Sequence, residues 1–533
     1  MPNAGSVLSP YLSRKRRVTK PAVRSSGGIV VSQNRAASET GARVLKAGGH
    51  AADAAVATTF ALGIVEPWMS GIGGVGAALA RDAKTGKVTA FDFGGRSPKG
   101  LKVEDFRLKA AGADGDLFGW PLVEGNVNTV GAKAVVAPTQ PAGLALLHKT
   151  FGRQRWGDLL QPAIGLAREG LAVDWHTTLV IATAFADLAK DAGTRERFLP
   201  GGAPPVPPAA TDPNPALRLK LGALPATLEA LASRGASAMY EGPLAKSIAD
   251  DVRAMSGYLT EVDLAAVAPR NPTPLEIPYA GRTIHVLPEL NGGPTLAMSF
   301  KHLSEHRANT GKSPSATDWH AYASALRHAW AWRFKHMGDA GELTAPTSTT
   351  HMAVIDRDGN VVTLTQTLLS LFGARIILPQ SGILMNNGIN WFDPRSGGPN
   401  ALGANKRVLA NYAPAIMTGD DRVIGVGGCG GRKIIPAVFQ LLALNADFGF
   451  DLDASFHQPR IDVSGVGRVA ADHRLGQAVM DELGKDFDVV AAEPLVYTNP
   501  FTIASAVARS GVTNEAATEP EQPWAEAVSE DEV

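Results

Sequence analysis

The feature that most constrains this chain is a hairpin beyond its midpoint. Thr349-Thr350-His351-Met352-Ala353-Val354-Ile355 alternates as a half-buried strand does, and residues 361–367 form a second β-rich run. Between them, Asp356-Arg357-Asp358-Gly359-Asn360 gathers the residue types that favour tight turns. A hairpin centred on Asp358 sets Thr349 opposite Thr367, with Cβ atoms roughly 4.5–5.5 Å apart. A slip of one residue would turn Thr367 to the other face, so the expectation is one of register. A threonine hydroxyl is a weak nucleophile, and one recurring remedy frees the threonine at a chain start, where its own α-amino group takes the proton. That amine has an unperturbed pKa near ~8, which leaves a useful neutral fraction near neutral pH. Taken alone, two opposed threonines read first as an ordinary cross-strand pair.

The rest of the chain alternates helical and extended patterns. Residues 29–31 read as a strand, 36–46 as a helix closed by Gly48-Gly49, and 51–64 as an alanine-rich helix buried on most sides. The turn Gly71-Ile72-Gly73-Gly74-Val75-Gly76 leads into a strand pair at 77–81 and 88–93. Helical patterns dominate 144–256, interrupted by an exposed proline-rich loop at 200–215, and another helix covers 319–336. Beyond Thr349 come short strands and glycine turns, and 515–533 reads as an acidic surface tail.

Composition narrows the function classes. Lys+Arg and Asp+Glu both total 51 in 533 residues, so no global field favours nucleic acid or an anionic membrane. A single cysteine, Cys429, excludes an internal disulfide framework and fits a reducing compartment. Arg14 to Arg17 are basic but no apolar stretch of signal-peptide length follows, and no run of eighteen apolar residues occurs. We expect a frayed terminus and a cytoplasmic protein, without nucleic-acid or membrane partners.

Several landmarks then fall in a fixed order: Gly48-Gly49-His50-Ala51-Ala52-Asp53-Ala54-Ala55, the turn 71–76, Gly292-Gly293-Pro294-Thr295, Thr349-Thr350-His351, Ser381-Gly382-Ile383-Leu384-Met385-Asn386-Asn387, Lys406-Arg407, and 427–432. In this order and spacing, from about residue 28 to 524, the sequence resembles the γ-glutamyltransferase family of N-terminal-nucleophile hydrolases. The resemblance implies an α+β fold, a four-layer αββα sandwich, made as a proenzyme. It further implies a flexible segment 1–27, a large subunit 28–348 and a small subunit 349–533, cut between Ser348 and Thr349 and packed as one unit. Thr349 matches the family nucleophile and Thr367 the threonine that orients it. Gly430 and Gly431 match the pair whose backbone N–H groups hold the oxyanion; glycine lets backbone approach a substrate without a side chain intervening. The implied partner is a small-molecule amide, with no cofactor and no metal.

The family's γ-glutamyl-gripping positions differ here. Gly94 stands where the Asp-Phe-Arg motif has arginine, with Arg96 two residues on. Leu369 replaces an asparagine, Gly388 and Trp391 replace glutamine and aspartate, and Ala410-Asn411 replace a serine pair. An acyl pocket lined by Gly94, Arg96, Leu369, Trp391 and Asn411 should prefer a group other than the zwitterionic end of glutamate, whose unpaired burial is costly. Only nine residues, 340–348, separate Gly338-Asp339 from Thr349, a short linker that would restrain the freed amine or prevent cleavage; a non-catalytic binding protein is the rival reading. The segment 392–406 is also short, so no long lid is expected. His351 shares a strand face with Thr349 but reads as a packing group, and Cys429 as a buried thiol. His320, His328 and His336 sit at eight-residue steps that drift around a helix, unlike metal ligands. The turn 71–76 lacks the preceding strand and following helix of a dinucleotide fingerprint. Arg375 reads as a structural or solvated arginine.

Overall fold

The computed structural model describes residues 12, 13, 15–113, 120–208, 217–306, 311–337, 348–419, 422–465, 467–497 and 499–533. The hairpin turn is fixed by one carboxylate. Asp356 accepts the Asn360 backbone N–H at 2.9 Å, the Asn360 side-chain amide at 2.8 Å and the Ala51 N–H at 3.1 Å. Gly359 supplies the left-handed backbone, φ +88°, that the turn requires. Asp356 thereby closes the turn and ties it to the positive end of helix Ala51–Val65. Pairing runs from Ile355 opposite Val361 to Thr350 opposite Gln366, the register centred on Asp358, and shifts by one beyond Thr350, where Ser348 faces Leu369.

This hairpin is the middle of a six-stranded antiparallel sheet ordered Glu526–Ser529, Ile29–Ser32, Ser348–Ile355, Val361–Leu369, Val75–Arg81, Val88–Phe93. A seven-stranded antiparallel sheet runs Val23–Ser25, Thr513–Thr518, Ile503–Ser510, Arg422–Cys429, Ala415–Gly419, Arg282–Val286, Leu275–Tyr279. Strand alternation sorts side chains into three apolar interfaces. Ala353, Ile355 and Val361 meet Ile416, Val507 and Ala516 between the sheets. Met352, Val354 and Leu364 point the other way, onto helices Arg35–Lys46 and Ala51–Val65. On the outer face of the second sheet, Ile284, Val426 and Ala506 pack with Phe300, Leu326 and Phe439 of helices Gly293–His306, Ala316–His336 and Ile434–Phe448. Three interfaces between four layers make the αββα sandwich implied by the resemblance.

Small residues set the closest approaches. A Cβ on Gly41 would lie 2.2 Å from Thr58 Oγ1, so alanine and glycine let the first two helices nest. A Cβ on Gly74 would lie 2.5 Å from the Thr367 carbonyl, and one on Gly73 2.2 Å from that of Leu384. The glycine turn therefore exists to pass over the hairpin backbone; a helix precedes it and a strand follows.

Both ends of the chain depart from expectation. The stretch 515–533 is not a surface tail: Thr513–Thr518 and Glu526–Ser529 are strands, and the acids pair inward, Glu515 with Arg24 and Arg422, Glu519 with Arg460, Glu530 with Arg357. The segment expected to fray up to residue 27 is tied down among its described residues, since Arg16 binds Glu521 and Val23–Ser25 pairs with Thr513–Thr518. In each case edge pairing and ion pairs outweigh the polar composition. The proline-rich loop begins with a tight turn, Pro200–Gly202, and its residues 209–216 lie outside the described residues. No helix among the described residues is long and apolar enough to cross a membrane.

Helix Ala51–Val65 ends at Glu66, a buried carboxyl that accepts the Thr350 hydroxyl at 3.4 Å. Burial pushes its pKa up to about 8. An acid raised in the native state stabilises the fold fully below its unfolded pKa, and that stability is lost as pH rises through the native value. Wild-type protein should thus lose melting temperature between pH 5 and pH 8, and Glu66→Gln should lose less, by about 2 °C or more, in paired thermal melts.

Candidate active site

The register shift beyond Thr350 creates a local irregularity at Thr349, which is buried at the start of its strand. Thr349 Oγ1 lies 3.4 Å from Thr367 Oγ1, longer than a well-formed O–H···O bond but within reach of one small movement. Thr367 Oγ1 also accepts the Leu369 N–H at 2.8 Å, which fixes its rotamer. Leu369 holds φ +85°, a left-handed backbone that costs a branched side chain energy and that asparagine or glycine would occupy more readily.

The facing strand, Arg422–Cys429, runs past the hairpin so that it ends where Ser348–Ile355 begins. A Cβ on Gly427 would lie 2.2 Å from His351 Cε1, and Thr363 donates to the Val426 carbonyl at 3.2 Å. Three and four residues beyond Gly427, Gly430 (φ +133°) and Gly431 (φ +58°) turn the chain into helix Ile434–Phe448. His351 is enclosed, its two ring nitrogens 2.9 Å from Thr365 Oγ1 and 3.2 Å from Thr363 Oγ1. Burial drives its pKa down to about 3, so the ring is neutral and serves packing, as its sequence context suggested. Cys429 is buried too, and burial pushes its thiol pKa up.

The residues expected around an acyl pocket divide into two groups. Leu369 and Trp391 share one apolar cluster with Ala410 and Tyr412, and Trp391 meets the Tyr412 ring edge to face at 6.0 Å. Asn411 borders this cluster and accepts from Arg333 at 2.9 Å. Gly94 and Arg96 flank Gly95, whose Cα packs against Val136. They line a separate cavity of about 240 Å³ with Asp263 and Arg407, and Arg96 is exposed and donates to the Asn405 carbonyl at 2.6 Å. Arg375 lies 3.7 Å from Asp187, a structural position.

Other landmarks prove to be braces. Asn386 binds the Gly73 carbonyl at 2.7 Å and the Val136 carbonyl at 3.0 Å, while Asn387 holds Ser370 Oγ at 2.7 Å and the Thr129 carbonyl at 3.0 Å. Arg407 joins Arg270 in bracketing Asp92 and Glu289, and those two guanidiniums hold the Glu289 pKa down to about 2. His320 bonds Asp486 at 2.7 Å, His328 stacks on His302, and His336 bonds the Trp332 carbonyl, so the three do not converge. Ser348 is the first described residue after 337, and the linker 340–347 lies outside the described residues.

Sequence reasoning missed two buried ionisable groups here. Glu66 follows fifteen residues of helix with one other charge, Asp53, and its isolation before Pro67 was the available signal. Arg333, wholly buried, binds the Asn291 and Ala410 carbonyls at 3.1 and 3.0 Å and Thr295 Oγ1 at 3.2 Å, joining two landmarks distant in sequence. Nothing in its tryptophan- and histidine-rich helix marked it.

Known proteins share this frame. The family model described as Gamma-glutamyltranspeptidase matches residues 37–348 and 341–529. The Glutathione hydrolase proenzyme of Bacillus subtilis (strain 168) is 29% identical over 513 residues, 86% of this chain and 84% of its own length. The Acylase ACY 1 proenzyme of Pseudomonas sp. (strain SE83) is 30% identical over 502 residues, covering 87% of each. In fold, the cephalosporin acylase from Bacillus halodurans superposes with a TM-score of 0.81 at 23% identity, over 99% of both chains. Since the family model and both relatives run along nearly the whole sandwich just described, this chain belongs to the gamma-glutamyltranspeptidase family, the hydrolases and acyltransferases of the N-terminal nucleophile class.

Proposed function

We propose that the chain cleaves itself between Ser348 and Thr349 and then works as an amidase or acyltransferase whose nucleophile is Thr349. The observation that carries this reading is the buried pair of threonine hydroxyls 3.4 Å apart at the start of a central strand. In the self-cleavage step Thr349 Oγ attacks the Ser348 carbonyl carbon, the Ser348–Thr349 C–N bond breaks, and an ester forms as the amine takes up the hydroxyl proton. Water hydrolyses that ester and leaves a free α-amine on Thr349. In turnover that amine accepts the hydroxyl proton while Oγ attacks the substrate amide, and later delivers a proton to the departing amine. The N–H groups of Gly430 and Gly431 are the donors for the oxyanion, where losing one typically raises the barrier by roughly 2.7–4 kcal/mol. The acyl-enzyme then passes to water or to an amine.

Thr367 is the positioning group. Its hydroxyl oxygen accepts the Leu369 N–H at 2.8 Å and lies 3.4 Å from Thr349 Oγ1. The acyl side is the cluster of Leu369, Trp391 and Ala410, three apolar residues where the family's polar grips stand, bordered by Asn411. Such a surface gains from an apolar acyl group and leaves the charged end of glutamate unpaired. Relatives bear the names glutathione hydrolase and acylase, and the apolar identity of these positions supports an acylase reading.

A denaturing gel with intact mass should show fragments of 348 and 185 residues, summing to the 533 of the chain, and one uncut chain for Thr349→Ala. A persistent single chain in the wild type would turn the reading to an uncleaved binding protein. Thr367→Val should lower kcat about tenfold to a hundredfold with little change in KM, the ~1–3 kcal/mol of a lost positioning hydrogen bond. Leu369→Asn suits the left-handed backbone and restores a polar grip. It should raise the ratio of kcat/KM for γ-glutamyl-4-nitroanilide over phenylacetyl-4-nitroanilide about tenfold, read from nitroaniline release.

A further inference from the structure

The turn after helix Ala51–Val65 touches both strands of the hairpin one residue past the threonine pair. Glu66, which caps the helix, accepts the Thr350 hydroxyl at 3.4 Å, and Thr350 follows Thr349. The Glu66 carbonyl accepts the Met69 N–H at 3.0 Å, and the Met69 carbonyl accepts the Leu368 N–H at 3.1 Å; Leu368 follows Thr367. The Phe372 N–H donates to the Trp68 carbonyl at 3.0 Å and fastens the same turn beyond the second strand. Hydrogen bonds from this turn thus reach one strand through backbone and the other through a carboxyl. The carboxyl bond is the long one, beyond the common O–H···O range, and so the easier to give up.

Glu66 stands where a negative charge is disfavoured. It is buried, it lies at the negative end of its helix dipole, and Asp174 adds a like charge. Burial is the largest effect and lifts the pKa to about 8, so the group is neutral at pH 7. Two cavities meet at Glu66, one of about 300 Å³ bordered by Gly430 and one of about 260 Å³ bordered by Asp174; His176 and Trp524 line both. The other ionisable groups on these walls are Lys433, Tyr497 and Cys429 in the first and Arg218 in the second. Cys429 and His176 are uncharged near neutral pH, because burial raises the thiol and lowers the imidazole. Arg218 pairs with Glu169 and Lys433 donates to the Asn499 carbonyl, so neither cation neutralises Glu66 where it stands. A carboxylate has about four acceptor sites to satisfy, and Thr350 supplies one donor. Once it has released its proton to solvent, the side chain therefore gains by turning from Thr350 toward a cavity, where water can reach it. A negative charge on the wall shared with Gly430 also opposes an oxyanion held there and keeps the Thr349 amine protonated.

We propose that Glu66 is a second positioning residue of the threonine pair and that it works only as the neutral carboxyl. Uncharged, it holds Thr350 while its turn holds Leu368; charged, it lets go of Thr350 and turns the site off. The proposal rests on the amidase reading given above and adds to it a residue and an alkaline limit. The Thr349 amine must be neutral to act as base, and Glu66 must be neutral to position it, so activity is confined from both sides of the pH scale.

The test has a kinetic arm and an exchange arm, on wild type, Glu66→Gln and Glu66→Ala. The kinetic arm follows kcat and KM for phenylacetyl-4-nitroanilide from pH 6 to pH 9.5. Wild-type kcat should fall roughly tenfold between pH 7 and pH 9.5, while Glu66→Gln, which keeps a neutral acceptor for Thr350, should lose that fall. Glu66→Ala should lower kcat about tenfold at pH 7 with KM within about twofold, and Glu66→Gln should restore most of it. The acid limb, set by the Thr349 amine, should persist in every variant. An alkaline fall of equal size in wild type and Glu66→Gln overturns the proposal and leaves the amidase reading standing. The exchange arm decides if no anilide is cleaved, in which case the amidase reading falls by itself. It measures amide deuterium uptake at pH 7 and pH 9.5, corrected for intrinsic exchange, in peptides covering 350–352. Protection there should drop about tenfold at the higher pH in wild type and hold in Glu66→Gln; equal protection loss in both overturns the proposal. If Glu66→Ala does not fold, wild type and Glu66→Gln decide both arms between them.

Discussion

The register of one hairpin carries the rest of this molecule. Thr349 and Thr367 meet where the pairing centred on Asp358 gives way, beyond Thr350, to a one-residue shift, and their hydroxyls lie 3.4 Å apart at that irregularity. That register is set at the far end of the hairpin, where Asp356 closes the turn and binds the start of helix Ala51–Val65. The same helix ends at Glu66, against Thr350. One helix thus touches the hairpin at both ends, which explains why its packing is so close and its residues so small.

Around that frame the glycines and asparagines act as spacers and clamps. Gly73 and Gly74 bring a turn across the Thr367 backbone, and Asn386 and Asn387 fasten that turn to the segments beyond the hairpin. Arg407, Arg270, Asp92 and Glu289 form a second fastening. These motifs are shared landmarks for mechanical reasons. Specificity is free to move independently of that scaffold, in which Leu369, Trp391 and Ala410 are buried members of the apolar core between the sheets.

The parts of the site legible in sequence were those encoded locally. Strand alternation, the 356–360 turn and the two glycines at 430–431 each announce a backbone geometry within a few residues. The parts that stayed hidden depend on partners far along the chain. Arg96, two residues from the expected arginine position, donates to the Asn405 carbonyl and lines a cavity with Arg407. Arg333 gave no local sign, since its acceptors lie at 291, 295, 410 and 411. The acidic stretch 515–533 read as solvated because composition alone cannot show that Arg24, Arg422, Arg460 and Arg357 come to meet it.

By itself the sequence determined the hairpin and its register as far as Thr350, because period-two alternation and turn chemistry act over neighbouring residues, whereas the one-residue shift at Thr349 was not encoded there. It also carried the ordered landmarks that place the chain in its family. Only the tertiary structure decided what surrounds that pair: Glu66 at the end of a distant helix, held against Thr350, and a cavity bordered by Cys429 and Gly430. Those neighbours come from strands and helices hundreds of residues apart, and burial, which fixes the charge state of Glu66 and His351, is a property of the whole fold.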